Sequence, residues 1–309
     1  MEPIRHAFVS MGTRVQLIAA PESDIRDVAR ALRRVRRIFA REDVRFSRFR
    51  PDSELSTVNA HAGDWVQISA PFATLMRLAL EAARATDGLF DPTVLPALMA
   101  AGYDRDFADV VARGEREDEE LRAIRRGLAD LMLKNATACG AWRDVELDGS
   151  RLRIPVGAAL DLGGIAKGWT VDLAVASLTR LPWAIVDAGG DLRIAGHPRE
   201  GVEVGVEDPD AAGAEVLRLR LDAGALATTS VTVRTWAPGA HHVIDPRTSL
   251  PAMTGVVQAT MWGPTCSEAE VSSKEALLRG QEILDRVRGC LVMASGEVIT
   301  NLAEAVVPA

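Results

Sequence analysis

The alternation of apolar and polar residues at the start of the chain predicts strands, and the pattern then becomes helical. Residues 4–20 alternate and predict an antiparallel pair of strands that turns at residues 11–13. Apolar residues three and four positions apart predict a helix over residues 24–39. We expect a short helix over residues 53–59, capped by its first serine, and a more apolar helix over residues 71–86.

The second half of the chain is dominated by short apolar or alternating runs, which predict strands. We expect a helix over residues 266–280 and a closing hairpin of residues 290–293 and 298–300. Because strands and helices fall into separate blocks, the sequence predicts an α+β fold with a mostly antiparallel sheet and helices packed around it. The expected strands are residues 145–147, 152–154, 183–186, 192–194, 202–206, 216–221, 225–229, 241–244 and 256–262.

The segment over residues 114–130 differs from the rest of the chain, because it is rich in charge and only weakly periodic. Such a segment is typical of a solvated surface element. We expect a mobile surface helix here, and this is where the chain would divide if it formed two lobes. Otherwise a single domain over residues 1–309 is expected.

The composition is that of an ordinary globular protein and argues against several classes of function. The chain has 309 residues, is 48% hydrophobic and carries a net charge of −7, which disfavours a nucleic-acid binder. Its three cysteines are odd in number and lack metal-ligand spacing, so we expect free thiols in a reducing compartment. Residues 1–20 lack the pattern of a secretory signal, and no apolar run reaches membrane-spanning length. We therefore expect a cytoplasmic protein without a membrane segment.

Residues 161–168, Asp-Leu-Gly-Gly-Ile-Ala-Lys-Gly, carry the strongest local signal for a ligand site. The apolar run over residues 158–162 predicts a strand, and a helical pattern follows the glycine pair. Glycines at such a turn allow close backbone approach, and the N-terminus of the following helix favours a phosphate. Lys167 adds a positive charge, and Asp161 can take a metal or a ribose hydroxyl. Plain packing also explains a glycine pair, so the motif alone leaves both interpretations open.

Lysine is rare in this chain. The sequence has 36 basic residues, but its only lysines are Lys134, Lys167 and Lys274. A GC-rich genome explains a general preference for arginine. A lysine that occurs despite this preference for arginine indicates that the position needs a compact ammonium group on a flexible side chain. This argument draws attention to Lys167 and Lys274.

The order of several short segments resembles that of the FAD:protein FMN transferases, the ApbE-like family. Each segment is short, but together they cover nearly the whole chain, which makes the set specific. The resemblance implies an ApbE-like, T-fold-like architecture. The segments are residues 11–13, 46–56 with Asn59, 88–94, 161–168, 188–192, 228–230 and 241–248.

The resemblance implies an enzyme that cleaves FAD, attaches FMN through its phosphate to a Ser or Thr hydroxyl of a partner flavoprotein, and releases AMP. Tyr103, the only tyrosine, would then stack on flavin or adenine, although a buried core aromatic explains it equally well. The residues that the resemblance places at the FAD site are Met11, Phe49, Ala101, Gly102, Tyr103, Asp161, Gly163, Gly164, Lys167 and Val243.

His242 is the expected general base for the incoming hydroxyl, because the pKa of histidine is nearest to neutrality. Alternation along a strand places His241 and His242 on opposite faces, so only one of them faces the site. The resemblance favours His242, which directly precedes the Val-Ile-Asp-Pro run. The alternative is a buried His242 and an exposed His241. With His242, we expect Lys167 and Lys274 to act in catalysis.

The resemblance also implies a Mg²⁺ ion, bound by a backbone carbonyl of the glycine turn, an aspartate, and a threonine four residues later. These positions are Gly164, Glu270 and Lys274 in this sequence. Glu270 and Lys274 would share a helix face and could form an ion pair. A protonated lysine does not bind Mg²⁺. Either Lys274 replaces the metal near the pyrophosphate, or Glu270, Gly164 and substrate phosphates hold it, or the site is inactive.

Two other functions remain open at this point. The first is an FAD-binding or flavin-carrier protein without transfer activity, which the replacements at Glu270 and Lys274 favour. The second is an FAD pyrophosphatase, in which water takes the place of the protein hydroxyl. The same residues serve both hydrolysis and transfer, so the sequence does not separate these two reactions.

Overall fold

The computed structural model describes residues 2–116, 139–237 and 239–307. Most of the surface helix predicted over residues 114–130 lies outside these ranges, as does Lys134. The chain divides into two compact units, and the expectation of a single domain stays a prediction. The first unit contains Met1–Asp43, Ile165–Ser230 and Thr254–Ala309, and the second contains Val44–Gly164 and Val231–Met253.

Helices and a largely antiparallel sheet occur together in the described residues, which confirms the predicted α+β class. None of these helices is long and apolar enough to cross a membrane. The helices are α1 (Ile25–Phe46), α2 (Glu54–Ala60), α3 (Ala70–Ala85), α4 (Leu95–Ala100), α5 (Phe107–Arg116), α6 (Ala166–Ala176) and α7 (Cys266–Arg279). The strands are β1 (Ile4–Ser10), β2 (Thr13–Ala19), β3 (Val66–Gln67), β4 (Glu146–Asp148), β5 (Arg151–Arg153), β6 (Trp183–Ala188), β7 (Asp191–Gly196), β8 (Val202–Glu207), β9 (Glu215–Leu221), β10 (Ala225–Ser230), β11 (Thr235–Ala237), β12 (Ala240–His241), β13 (Ile244–Asp245), β14 (Leu250–Pro251), β15 (Val256–Gly263), β16 (Gly289–Met293) and β17 (Val298–Thr300).

The first unit is built on an eight-stranded sheet in the order β1-β2-β6-β7-β10-β15-β16-β17. All neighbouring strands in this sheet are antiparallel. Successive side chains of one strand point to opposite faces of the sheet. Val186 of β6 packs with residues of α1, α6 and α7, whereas Ile185 packs with the hairpin β8–β9. The sheet therefore has helices on one face and a hairpin on the other.

The second unit contains α2 to α5, the three-stranded sheet β3-β5-β4 and two small strand pairs. The predicted N-cap of α2 is confirmed, because the Ser56 backbone N–H donates to Ser53 Oγ at 2.9 Å. A core cluster in this unit joins Leu98 of α4, Val110 of α5 and Tyr103 between these helices. This cluster fixes the loop between α4 and α5, where three predicted site residues lie.

Two predicted strands are wrong, and local hydrogen bonds explain both. Residues 158–162 form no strand, because the Asn59 side chain occupies the backbone of Leu160: Oδ1 accepts from the Leu160 N–H at 2.7 Å, and Nδ2 donates to the Leu160 carbonyl at 2.9 Å. Residues 241–244 do not form one strand either. The backbone leaves the β conformation after His241, where the Val243 N–H donates to His241 Nδ1 at 3.3 Å, and β12 and β13 pair with different strands.

The helix expected over residues 24–39 is longer than predicted and ends at Phe46. No glycine or proline interrupts residues 40–46, so nothing in the local sequence stops the helix. Its apolar stripe continues as well, because Phe39 is fully buried and Phe46 nearly so. The added turns carry this helix up to Ser47 and Arg48, which begin the next loop.

Gly168 allows α6 to pack closely against the start of α7. A Cβ atom at this position would lie 2.6 Å from the Cys266 carbonyl oxygen and 2.8 Å from the Ser267 Cα, which are backbone atoms that cannot rotate away. We expect Gly168→Ala to lower the free energy of unfolding by about 1–3 kcal/mol, the usual cost of overpacking. Denaturant unfolding monitored by circular dichroism measures this change.

Gly114→Ala in α5 is the matched control. The nearest atom to a Cβ there is the Trp236 carbonyl oxygen at 4.0 Å, so the alanine fits. Alanine is also the better helix former by about 1 kcal/mol. We therefore expect this variant to be as stable as the wild type or slightly more stable. An equal loss in both variants would contradict the packing argument.

Candidate functional site

The predicted site residues are divided between the two units. The first unit holds Met11, Lys167, Glu270 and Lys274. The second unit holds Phe49, Ala101, Gly102, Tyr103, Asp161, Gly163, Gly164, His242 and Val243. Each unit brings several of its own residues together.

Met11 lies in the tight turn between β1 and β2, where its backbone is left-handed with φ of 51°. Left-handed backbone is uncommon for a residue other than glycine. Gly12 follows with φ of 66°, so both central residues of the turn have positive φ, as a two-residue hairpin requires. The Met11 side chain packs against the core cluster of the first unit. The Met-Gly-Thr segment is thus explained by turn geometry, and its FAD contact stays a prediction.

Two buried carboxylates and two partly exposed lysines form a charged cluster in the first unit. Lys167, in the first turn of α6, places its Nζ 2.7 Å from Asp191 Oδ2 and 2.5 Å from Glu270 Oε1. The Lys274 Nζ lies 3.4 Å from the same Glu270 oxygen and 3.3 Å from the Glu270 backbone oxygen. The side chain of Glu270 is completely buried and that of Asp191 is 2% exposed. The ion pair expected between Glu270 and Lys274 is therefore present.

Asp191 belongs to this cluster although sequence reasoning did not select it. It is the first residue of β7 and follows Gly189 and Gly190, whose φ values are 68° and 93°. A Cβ at Gly189 would lie 2.1 Å from Thr13 Oγ1, so this sharp turn requires glycine. The Gly-Gly-Asp run, which parallels the predicted ligand turn, was the available signal.

Burial and opposite charges together set the protonation of the cluster. Burial works against the Lys167 ammonium, but Asp191 and Glu270 raise the pKa of Lys167 well above its ordinary value. Burial raises the pKa of Asp191 to about 6, against the attraction of Lys167. Burial also lowers the pKa of Lys274. Burial of Glu270 is outweighed by Lys167 and Lys274, which hold its pKa below the usual range.

The residues at the expected metal position do not fit a magnesium ion. Glu270 Oε1 faces both ammonium groups, and Oε2 accepts a hydrogen bond from the Gly168 backbone N–H at 2.8 Å. A divalent cation at this carboxylate would be repelled by Lys167 and Lys274. In the parts of the chain that the structure describes, no group of three or more His, Cys, Asp or Glu could hold a metal.

Aromatic rings surround Tyr103 in the second unit. The ring centroid of Tyr103 lies 5.4 Å from that of Trp236, 5.8 Å from Phe49 and 6.2 Å from Phe107. Tyr103 is 5% exposed, and burial raises its pKa. The Trp236 Nε1–H donates to the Ala101 carbonyl at 3.1 Å, which ties down the loop of the predicted Ala101, Gly102 and Tyr103. Tyr103 is thus a core aromatic, and Phe49 is the more exposed ring.

Both carboxylate oxygens of Asp161 have partners within its own unit, and its contact with a nucleotide stays a prediction. Its Oδ1 accepts from the Gly163 backbone N–H at 2.7 Å, which fixes the start of the exposed glycine turn. Its Oδ2 lies 2.9 Å from Arg48 Nε. The Arg48 guanidinium carbon sits 4.1 Å from the Phe49 ring centroid and 4.5 Å from that of Tyr103. Sequence reasoning did not single out Arg48, because arginine is common throughout the chain.

The two histidines have different environments, and His241 is the buried one. The alternative of a buried His242 and an exposed His241 is therefore wrong, since His242 is only half-buried. His241 Nδ1 accepts from the Val243 N–H, so Nε2 carries the proton and donates to the Ala252 carbonyl at 3.0 Å. Burial lowers the pKa of His241. With both ring nitrogens bonded, His241 is unsuited to accept a proton from a substrate.

Comparison with known proteins places these features in a family context. The sequence model of the ApbE family matches residues 11–291. A Treponema pallidum protein named FAD:protein FMN transferase is 28% identical over 296 residues, which cover 89% of this chain and 78% of that protein. A protein of the same name from Vibrio cholerae serotype O1 is 26% identical over 309 residues, covering 96% of this chain and 86% of the relative.

Solved structures share the fold. An ApbE protein from Thermotoga maritima superposes with a TM-score of 0.82 at 24% identity, over 98% of both chains. The structure described as flavin transferase ApbE from Vibrio cholerae gives a TM-score of 0.74 at 25% identity, over 97% of both chains. The similarity therefore extends over nearly the full length of this chain, with no large segment left unmatched.

Proposed function

Because the chain belongs to the ApbE family, we propose that it is an enzyme that transfers FMN from FAD to a protein. The observation that carries this proposal is the similarity, over 89% and 96% of the chain, to two proteins named FAD:protein FMN transferase. Lys167 and Lys274 are partly exposed ammonium groups and Phe49 is a partly exposed ring, and such groups suit a phosphate-bearing flavin. The acceptor is a flavoprotein with a Ser or Thr hydroxyl at its modification site.

The reaction that we propose is a phosphoryl-type transfer. The acceptor hydroxyl oxygen forms a bond to the phosphorus on the FMN side of FAD, while the bond from this phosphorus to the bridging oxygen breaks. AMP leaves with the electron pair of the broken bond, and His242 takes the hydroxyl proton. Such transfers depend mainly on positioning and charge neutralisation. The bonded state of His241 supports the choice of His242 as the base.

The phosphates of FAD are proposed to bind at the Gly163-Gly164 turn and at Lys167. Gly163 is exposed, and α6 begins three residues later, so the positive end of this helix follows the turn directly. Lys167 belongs to the first turn of α6. Val243 is buried, and its N–H and carbonyl bond His241 Nδ1 and the Ala252 N–H, so its flavin contact stays a prediction. We propose that residues 1–309 form a single ApbE-like domain.

Lys274 is proposed to supply the positive charge that a metal ion would otherwise bring. An ammonium group neutralises a pyrophosphate oxygen without needing oxygen ligands around it, unlike Mg²⁺. The Lys274 Nζ lies 3.3 and 3.4 Å from two oxygens of Glu270, so it is held less firmly than Lys167 and can turn towards an anion. Magnesium is therefore not proposed as a bound cofactor at Glu270. The proposed location is the cytoplasm, where the three free cysteines stay reduced.

The test of the proposed function is incubation of the protein with FAD and a candidate acceptor flavoprotein, followed by denaturing electrophoresis. We expect a fluorescent flavin band at the mass of the acceptor, together with AMP in the supernatant. The control acceptor has Ala in place of the modified Ser or Thr. Free FMN and AMP without a labelled band would indicate an FAD pyrophosphatase, and intact bound FAD would indicate a carrier.

The role of Lys274 predicts how the activity responds to metal removal. We expect the wild-type rate to persist in EDTA, and Lys274→Met to lower it about tenfold or more, since one electrostatic contact to the transition state is lost. Glu270→Asp combined with Lys274→Thr restores the family pattern and should make the activity depend on added Mg²⁺. Flavin labelling of the acceptor measures each rate. Loss of all wild-type activity in EDTA with recovery in Mg²⁺ would contradict the replacement.

A further inference from the structure

We propose that Arg48 binds the flavin ring itself, by donating a hydrogen bond from its Nη2 group to a carbonyl oxygen of the isoalloxazine. Asp161 is then a positioning residue that orients Arg48. This inference rests on the proposed function, because it takes FAD as the substrate. It concerns only residues of the second unit.

The Arg48 side chain has a buried donor group that nothing in its surroundings uses. The side chain is 9% exposed, and Nη2 has no hydrogen-bond partner among the described residues. Leaving a buried donor unsatisfied destabilises the folded state. Buried polar groups in native proteins are nearly always satisfied, and exceptions often mark a binding function. The Arg48 Nη2 group is therefore positioned for an acceptor from outside the chain.

The direction of this donor is fixed by contacts on three sides. The guanidinium lies over the rings of Phe49 and Tyr103, at 4.1 and 4.5 Å from their centroids. Its Nε is 2.9 Å from Asp161 Oδ2, and Asp161 is in turn held by the Gly163 N–H. Stacking restricts the guanidinium plane, and the ion pair restricts rotation within that plane. Arg48 is thus preorganised, which favours ligand binding.

The charge balance points to a neutral acceptor rather than a phosphate. The positive charge of Arg48 is already balanced by Asp161, so what remains is the Nη2 amino group without an acceptor. The carbonyl oxygens of the flavin ring are neutral acceptors in the plane of an aromatic system. Phe49 lies beside Arg48 and is 38% exposed, so it offers ring surface to a planar ligand. A carbonyl oxygen on the flavin ring is a neutral acceptor, and the ring that carries it is planar and can lie against Phe49.

The test compares the affinities of riboflavin, FMN and FAD for the full-length wild type and Arg48→Lys, measured by flavin fluorescence. Lysine keeps the charge but loses the planar fork. We expect all three flavins to bind about tenfold more weakly to Arg48→Lys, because riboflavin has the same ring without phosphate. The matched control is Arg143→Lys, an arginine that lies 4.4 Å from the Trp142 ring centroid and is 55% exposed. This variant should bind all three flavins normally.

A second measurement keeps the proposal testable if Arg48→Lys folds poorly. Riboflavin labelled with ¹³C at its ring carbonyls should show a downfield carbonyl shift when bound to the wild type, and a smaller shift with Asp161→Asn. A loss of affinity confined to FMN and FAD would indicate a phosphate contact and overturn the proposal. Unchanged affinity of Arg48→Lys for all flavins would overturn it as well. Wild-type protein that binds no flavin would contradict the proposed function, which is a separate failure.

Discussion

Replacing His242 with alanine should lower the rate of FMN transfer about a hundredfold or more, and leave the affinity for FAD close to the wild-type value. A general base acts on the proton that moves in the transition state, so its loss affects kcat more than binding. Flavin labelling of the acceptor at saturating FAD gives the rate, and equilibrium fluorescence titration gives the affinity. Exogenous imidazole should restore part of the activity if only the base is missing.

The neighbouring histidine provides the control for this prediction. His241 is 5% exposed and uses both ring nitrogens, so His241→Gln should lower stability and leave the transfer rate of the folded protein nearly unchanged. The opposite pattern, with a slow His241 variant and a fully active His242 variant, would show that the other histidine acts as the base. A loss of FAD affinity in His242→Ala would instead indicate a binding role.

Removal of the Lys167 ammonium should give the largest loss of stability. Lys167→Met leaves the buried carboxylates of Asp191 and Glu270 without their closest cation. Breaking a buried ion pair by removing one partner typically costs 3–5 kcal/mol, about what we expect here. The free energy of unfolding from denaturant titration measures the loss, and it requires neither FAD nor an acceptor.

Lys274→Met is the matched control in the same cluster. Its ammonium contacts Glu270 only at 3.3 and 3.4 Å, so the variant should lose clearly less stability than Lys167→Met. The double variant Lys167→Met with Glu270→Gln removes one charge of each sign, and it should recover part of the loss. An equal loss of stability in the two lysine variants would contradict the prediction, because it would mean that the short contacts of Lys167 add no stability beyond the longer contacts of Lys274.

Periodicity predicted most of the fold, because each correct element has its own local pattern. Alternate residues along the strands of the first unit pack into its two cores, and α7 begins at Cys266, directly after Thr265, whose side chain caps the helix. Helices α4 and α5 were missed. The first of them has only six residues and a proline in its first turn, which gives too little sequence for a periodic signal. The strand predicted over residues 158–162 does not form, because the side chain of the distant Asn59 takes the hydrogen bonds of the Leu160 backbone.

The candidate site was only partly predictable, since its decisive contacts join distant parts of the chain. The pair of Glu270 and Lys274 followed from their spacing along one helix. The contact of Glu270 with Lys167 depends on the packing of α6 against α7, which no local pattern contains. Arg48 was overlooked for a similar reason. Its stacking and its ion pair with Asp161 arise only in the folded second unit.

The order of strands in the first unit has a consequence for synthesis on the ribosome. Val15 of β2 pairs with Ala188 of β6, and β10 pairs with β15, which comes after the last segment of the second unit. The sheet therefore cannot close until most of the chain has emerged, and contacts of long sequence separation slow folding. Until then the face of β2 that carries Ile18 lacks the β8–β9 hairpin that packs against it. The nascent chain is thus a natural client for chaperones that shield such surfaces.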